Sequence, residues 1–131
     1  MVPFFRMIGA VATASLLSGC GLMGPDCYDV TLPERVAIGL LVQDSISGAS
    51  PAGVTAVIQA ADGRTIRAHG TDSGRGVWFT FGGGVTPDVY LLLVDAQGYR
   101  RWERMNIRVP ADECGRVSRA VELTARLQPI N

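Results

Sequence analysis

Every second residue from Val36 to Val42 is apolar, and the same rhythm returns at Val54, Ala56, Ile58 and Ala60. Successive side chains of a strand point to opposite faces, so a period of two is what a half-buried strand requires. Turn chemistry separates the runs: Ser45 to Gly53 holds two glycines and Pro51, and Asp62-Gly63 is a strong hairpin signal. Arg64 to His69 reads as a short polar strand at a sheet edge, followed by a Gly-rich connection over 70 to 76. Further strands are expected over Val77 to Phe81, Val89 to Val94, Arg101 to Val109 and Ser118 to Leu127, broken by Gly82-Gly83-Gly84, Pro87, Gln97-Gly98 and Pro110.

That pattern gives about seven strands, and beyond the first 20 residues no segment keeps a helical period over ten positions. Short strands at this spacing predict an all-β, antiparallel Greek-key sandwich. Its core is expected to be Ile38, Leu40, Val42, Val54, Ala56, Ile58, Phe79, Phe81, Tyr90, Leu92, Val94, Met105, Ile107, Val109, Val121, Leu123 and Leu127. The opposite register of the fifth predicted segment is also apolar: Val89, Leu91 and Leu93 face outward, and Trp78 joins them if its strand is a neighbour. An apolar row on the outside of a sandwich is a candidate for partner contacts. A slip of one residue in register would exchange the two faces.

The amino-terminal segment carries the address. Arg6 precedes a short apolar stretch from Met7 to Leu17, which leads into Leu17-Ser18-Gly19-Cys20. A charged start, a short apolar segment and small residues at a cleavage point are the marks of a signal peptide. The stretch is about half the roughly 20 residues that a spanning helix needs. Leu17-Ser18-Gly19-Cys20 resembles the lipobox of bacterial lipoproteins. The resemblance implies cleavage after Gly19, a diacylglyceryl thioether on Cys20, and acylation of the new amino terminus. Residues 1–19 are thus expected to be a lipoprotein signal peptide, 20–35 a lipidated tether, and 36–127 the sandwich domain.

The basic residues are all arginine and number 12, against 12 acids and a single histidine. Near neutrality argues against nucleic acid, which calls for a concentrated basic patch. Cys27 and Cys114 stand near the two ends of the exported domain, where an oxidising compartment favours a disulfide between them. Zinc would want four ligands at close spacing, and only His69 could join these two cysteines; a catalytic thiol would need a base partner. His69 itself reads as a solvated strand residue. Gly82-Gly83-Gly84 lacks the following Lys or Ser/Thr of a phosphate loop, and Asp72-Ser73-Gly74 has too few carboxylates for calcium. No catalytic residue, metal or cofactor is expected.

The run Val42-Gln43-Asp44, Ser47-Gly48, Pro51-Ala52-Gly53-Val54, Thr71-Asp72, Gly76, Phe79, Tyr90-Leu91-Leu92 and Gly98-Tyr99 resembles the carboxypeptidase regulatory-like domains, which are transthyretin-like seven-stranded sandwiches. The likeness covers roughly residues 36 to 127. Bacterial lipoproteins with one such domain, an early cysteine and an Ala-Asp-Glu-Cys segment are similar, and here that segment is Ala111-Asp112-Glu113-Cys114. Asp88 departs from the pattern, where these domains often have glycine. The resemblance implies a small envelope accessory or binding module without catalytic residues.

The expected function is a membrane-anchored, non-enzymatic envelope lipoprotein, held to a bacterial membrane through Cys20 and binding an envelope protein partner. Its contacts would be Trp78, Val89, Leu91 and Leu93, with Trp102 as a further aromatic. The alternative is a carbohydrate-binding module or a small secreted-side hydrolase, with the tryptophans stacking on a glycan.

Overall fold

A computed structural model describes residues 35–130. They form eight strands: β1 (Ile38–Asp44), β2 (Thr55–Ala60), β3 (Thr65–Ala68), β4 (Gly70–Asp72), β5 (Val77–Phe81), β6 (Val89–Asp95), β7 (Trp102–Arg108) and β8 (Val121–Leu127). There is no helix among the described residues. One sheet has the order β4-β5-β1-β8 and the other β3-β2-β6-β7. They share a single core, as in a sandwich. The signal segment, Cys20 and Cys27 lie outside the described residues.

The eighth strand is β4, inside the segment read from the sequence as a Gly-rich connection. Three residues are too few to display a period, yet Gly70, Thr71 and Asp72 pair with Phe79, Trp78 and Val77 of β5. Only His69 separates β3 from β4, so the chain turns a corner there and passes from one sheet to the other. The all-antiparallel expectation also needs correction. β8 lies parallel to β1, from Ile38 opposite Val121 to Asp44 opposite Leu127.

β1 is central and its burial shows it. Ile38, Leu40 and Val42 have no exposed surface, and its pattern is close to a continuous apolar run, as expected of a strand covered by neighbours on both edges. Facing it across the interior are Ala56 and Ile58 of β2 and Tyr90, Leu92 and Val94 of β6, all buried. Burying one such large apolar side chain stabilises the fold by about 1.5–3 kcal/mol. The three ion pairs among the described residues, Arg64–Asp62, Arg101–Asp95 and Arg116–Asp112, are all open to water at least in part, the last also being long at 4.0 Å, so they add little by comparison.

β7 departs most from the expected register. Tyr90 pairs with Ile107 and Leu92 with Arg104, so Met105 and Asn106 together oppose Leu91 alone. This is a β-bulge, and it inverts the phase of the alternation. Met105, expected in the core with Ile107 and Val109, is 70% exposed instead. Trp102, opposite the buried Val94, packs half-buried against the core. Asn106 holds the bulge with φ of 58°, the left-handed region in which Asn is among the few non-glycine residues at ease. Val54, Val121 and Leu123 are half-buried at the margin of the core. Ala37, Ala60, Val77, Val85, Val117 and Ala125 complete it.

Replacing Asn106 with Gly is expected to leave thermal stability within about 0.5 kcal/mol, while Asn106→Val should cost about 1–2 kcal/mol because a β-branched residue resists positive φ. Thermal or denaturant melts of the two variants check this, and equal effects would refute the strain argument.

Candidate functional site

The predicted contact residues separate onto two faces. Val89, Leu91 and Leu93 line the outward side of β6, each half-buried, between buried neighbours at Tyr90, Leu92 and Val94. Cross-strand partners share a face, which adds Val57 opposite Leu93 on β2 and sets Gln59 opposite Leu91. Arg67 beside Val57, Glu103 beside Leu93 and Arg108 beside Val89 put charge at its margins. Trp78, 42% exposed, is not part of this row. It lies on β5 in the other sheet, next to Leu41 of β1 and Thr71 of β4. The condition that its strand neighbour β6 is not met.

Other expectations find direct local explanations. In the hairpin at Asp62-Gly63, Gly63 donates its N–H to the Ala60 carbonyl and takes φ of 91°. The Arg64 guanidinium donates back to Asp62. Asp72-Ser73-Gly74 is a turn: Oδ1 of Asp72 accepts from the Gly74 N–H at 2.8 Å and from the Ser50 hydroxyl at 2.5 Å. These bonds, that of Ser50 foremost, hold the Asp72 carboxyl below its ordinary range. Gly82 accepts from the Val85 N–H, which turns the glycine run inward and buries Val85. His69 is exposed at the corner between β3 and β4, and no group of three or more His, Cys, Asp or Glu that could hold a metal occurs among the described residues. Cys114 is half-buried in a turn, its N–H donated to Asp112 Oδ1 at 2.9 Å; its expected partner Cys27 lies outside the described residues.

The most highly organised polar cluster was not singled out as a site by sequence reasoning. Asp44 ends β1 with Oδ1 accepting from the N–H groups of Ile46 and Ser47 at 2.7 and 2.9 Å. Its Oδ2 accepts from the Tyr99 hydroxyl at 2.7 Å. Tyr99 belongs to the turn between β6 and β7, so this bond ties one sheet to the other. Backbone bonds continue the seam, Arg100 N–H to Gln128 O and Ile130 N–H to Gly98 O, both at 2.9 Å. The Tyr99 hydroxyl, followed by the two N–H donors, lowers the Asp44 carboxyl to about 2, and the same bond raises the Tyr99 phenol. Next to this seam Arg100, Arg101, Trp102, Arg126, Leu127 and Gln128 line a cleft of about 290 Å³.

No family model matches the chain, and a comparison with curated proteins found no match.

The Asp44 pKa carries a sign. A carboxyl whose folded value lies below its ordinary 3.8 contributes stability that is complete above about pH 4 and fades as pH falls through about 2. Tyr99→Phe removes the largest contribution to that shift. The variant should melt below the native protein at neutral pH, and the gap should narrow as pH falls towards about 2. Melting curves across this range check it; a gap that does not change with pH would assign the loss to packing alone.

Proposed function

We propose that this chain is a membrane-anchored, non-enzymatic envelope lipoprotein whose carboxypeptidase regulatory-like sandwich binds a protein partner. The single observation that carries the partner reading is the outward row of β6, where Val89, Leu91 and Leu93 continue into Val57. Among the described residues no further sheet is stacked on that side. A flat apolar strip bordered by Arg67, Glu103 and Arg108 suits a protein surface, because an apolar centre within a polar rim is the usual anatomy of an interface. Support for the family reading comes from the two-sheet all-β architecture together with the quoted motifs. Of these, Asp44 and Gly98-Tyr99 meet in the bond that joins the sheets.

The anchor belongs to the same proposal and rests on Leu17-Ser18-Gly19-Cys20. Two or more acyl chains on Cys20 hold a protein durably, at about 0.8 kcal/mol per buried methylene, where one chain binds only marginally. Cys27 pairing with Cys114 would fasten the tether to the domain. The alternative of a glycan binder or hydrolase gains less, since Trp78 and Trp102 stand on different sheets and do not share one stacking platform.

Mass spectrometry of the membrane fraction should find acyl mass on a peptide that begins at Cys20; an unmodified Cys20 or an intact Met1 terminus would refute the anchor. For the partner surface, Leu91→Asp should leave folding intact, because the side chain points away from the core, while removing the crosslinked partners recovered from intact cells. An unchanged set of partners with Leu91→Asp would refute this face as the interface.

A further inference from the structure

The cleft beside the Asp44–Tyr99 seam collects charge of one sign. Arg100 and Arg101 come from the turn entering β7, and Arg126 comes from the end of β8, so residues from both sheets converge on it. Arg101 donates from Nε to Asp95 at 2.9 Å, which leaves its Nη donors unused by that pair. Glu103 is a second acid near enough to act on it. Arg101 is offset by Asp95, which leaves Arg100 and Arg126 as the arginines that line the cleft outside any ion pair among the described residues. The cleft is anchored on both sides: Arg100 is held to Gln128 through its backbone, and Trp102 packs against the core. The backbone around the cleft is thereby held, and the exposed side chains of Arg100, Arg101 and Arg126 reach from it into solvent.

We propose that this cleft binds a phosphoryl group, with Arg100 and Arg126 as forked donors, Arg101 steered by Asp95, and the Trp102 indole as an apolar wall. A phosphate fits better than a carboxylate. It carries more charge and offers three oxygens in different directions, whereas a carboxylate is satisfied by one guanidinium fork. The volume of about 290 Å³ sets the scale at a phosphate with a small substituent. A soluble phosphate ester and a phospholipid headgroup present the same chemistry. This site is separate in residues from the β6 row, so either proposal can fail alone.

Tryptophan fluorescence reads the site directly once the second tryptophan is removed, because Trp78→Phe leaves Trp102 as the only indole. The full chain carrying Trp78→Phe is titrated with glycerol phosphate, with acetate, and with vesicles of phosphatidylglycerol or of phosphatidylcholine. A saturable change with glycerol phosphate identifies a soluble phosphoryl ligand. A change with phosphatidylglycerol vesicles but not with phosphatidylcholine or glycerol phosphate identifies a headgroup. In either case Arg126→Gln and Arg100→Gln should each weaken binding by about tenfold or more, as for loss of one charge-assisted contact. Arg126→Lys should recover only part, because an ammonium lacks the fork. Unaltered melting temperatures show that these variants are folded. No response to any phosphoryl probe, equal response to acetate, or affinity unchanged in both Gln variants would overturn the proposal.

Discussion

The position of β1 is the constraint on which the rest of the structure depends. It is hydrogen-bonded on both edges, antiparallel to β5 and parallel to β8, and its inward side chains Ile38, Leu40 and Val42 have no contact with water. A strand so placed must be apolar on the core side. On its outer face the exposed Glu122 side chain of β8 lies over Gly39, its carboxylate oxygen 2.8 Å from where a Cβ would stand. Backbone amides beyond the strand continue the alignment, with Ala37 donating to Phe81 and accepting from Val121. Errors in β1 would therefore propagate into β5 and β8 together.

The connection between Asp44 and Tyr99 gives the two sheets their mutual setting. Apolar contact is non-directional and would tolerate small rotations of one layer over the other. A charged carboxylate with three donors does not, since hydrogen bonds weaken steeply with angle. The bond fixes the turn from which Arg100, Arg101 and Trp102 follow. The geometry of the arginine cleft is thus inherited from the end of β1, more than fifty residues earlier in the chain.

Much of this was legible in the sequence, and the failures have physical causes. Strict alternation over Val89–Asp95 gave both the core set and the outward row correctly, because a strand with a straight ladder preserves its period from end to end. β7 could not be read that way. One extra residue at Met105-Asn106 inverts the phase, and an Asn within a polar stretch gives little notice of a bulge. Sheet membership was equally hidden. Whether Trp78 sits beside Leu91 is decided by which strands pair across long stretches of chain, and the pattern within either strand is silent on that. The parallel partnership of β1 and β8 was missed for the same reason. Arg100-Arg101-Trp102 could be seen as a basic aromatic triplet, but only the fold brings Arg126 to it.

The corner at His69 has a consequence for how the molecule comes apart. β3 and β4 are edge strands of different sheets, yet they are one nearly continuous length of chain. Fraying usually begins at sheet edges and stays local. Here, lifting β3 from β2 pulls on β4, and β4 lies closely over β5, where Gly70 has no room for even a methyl against Val77 and Phe79. The two margins on this side thus open as one unit and would uncover aromatic surface as they do. The far side is tied differently: there β7 and β8 end their sheets as separate strands, joined by the backbone bonds from Arg100 to Gln128 and from Ile130 to Gly98.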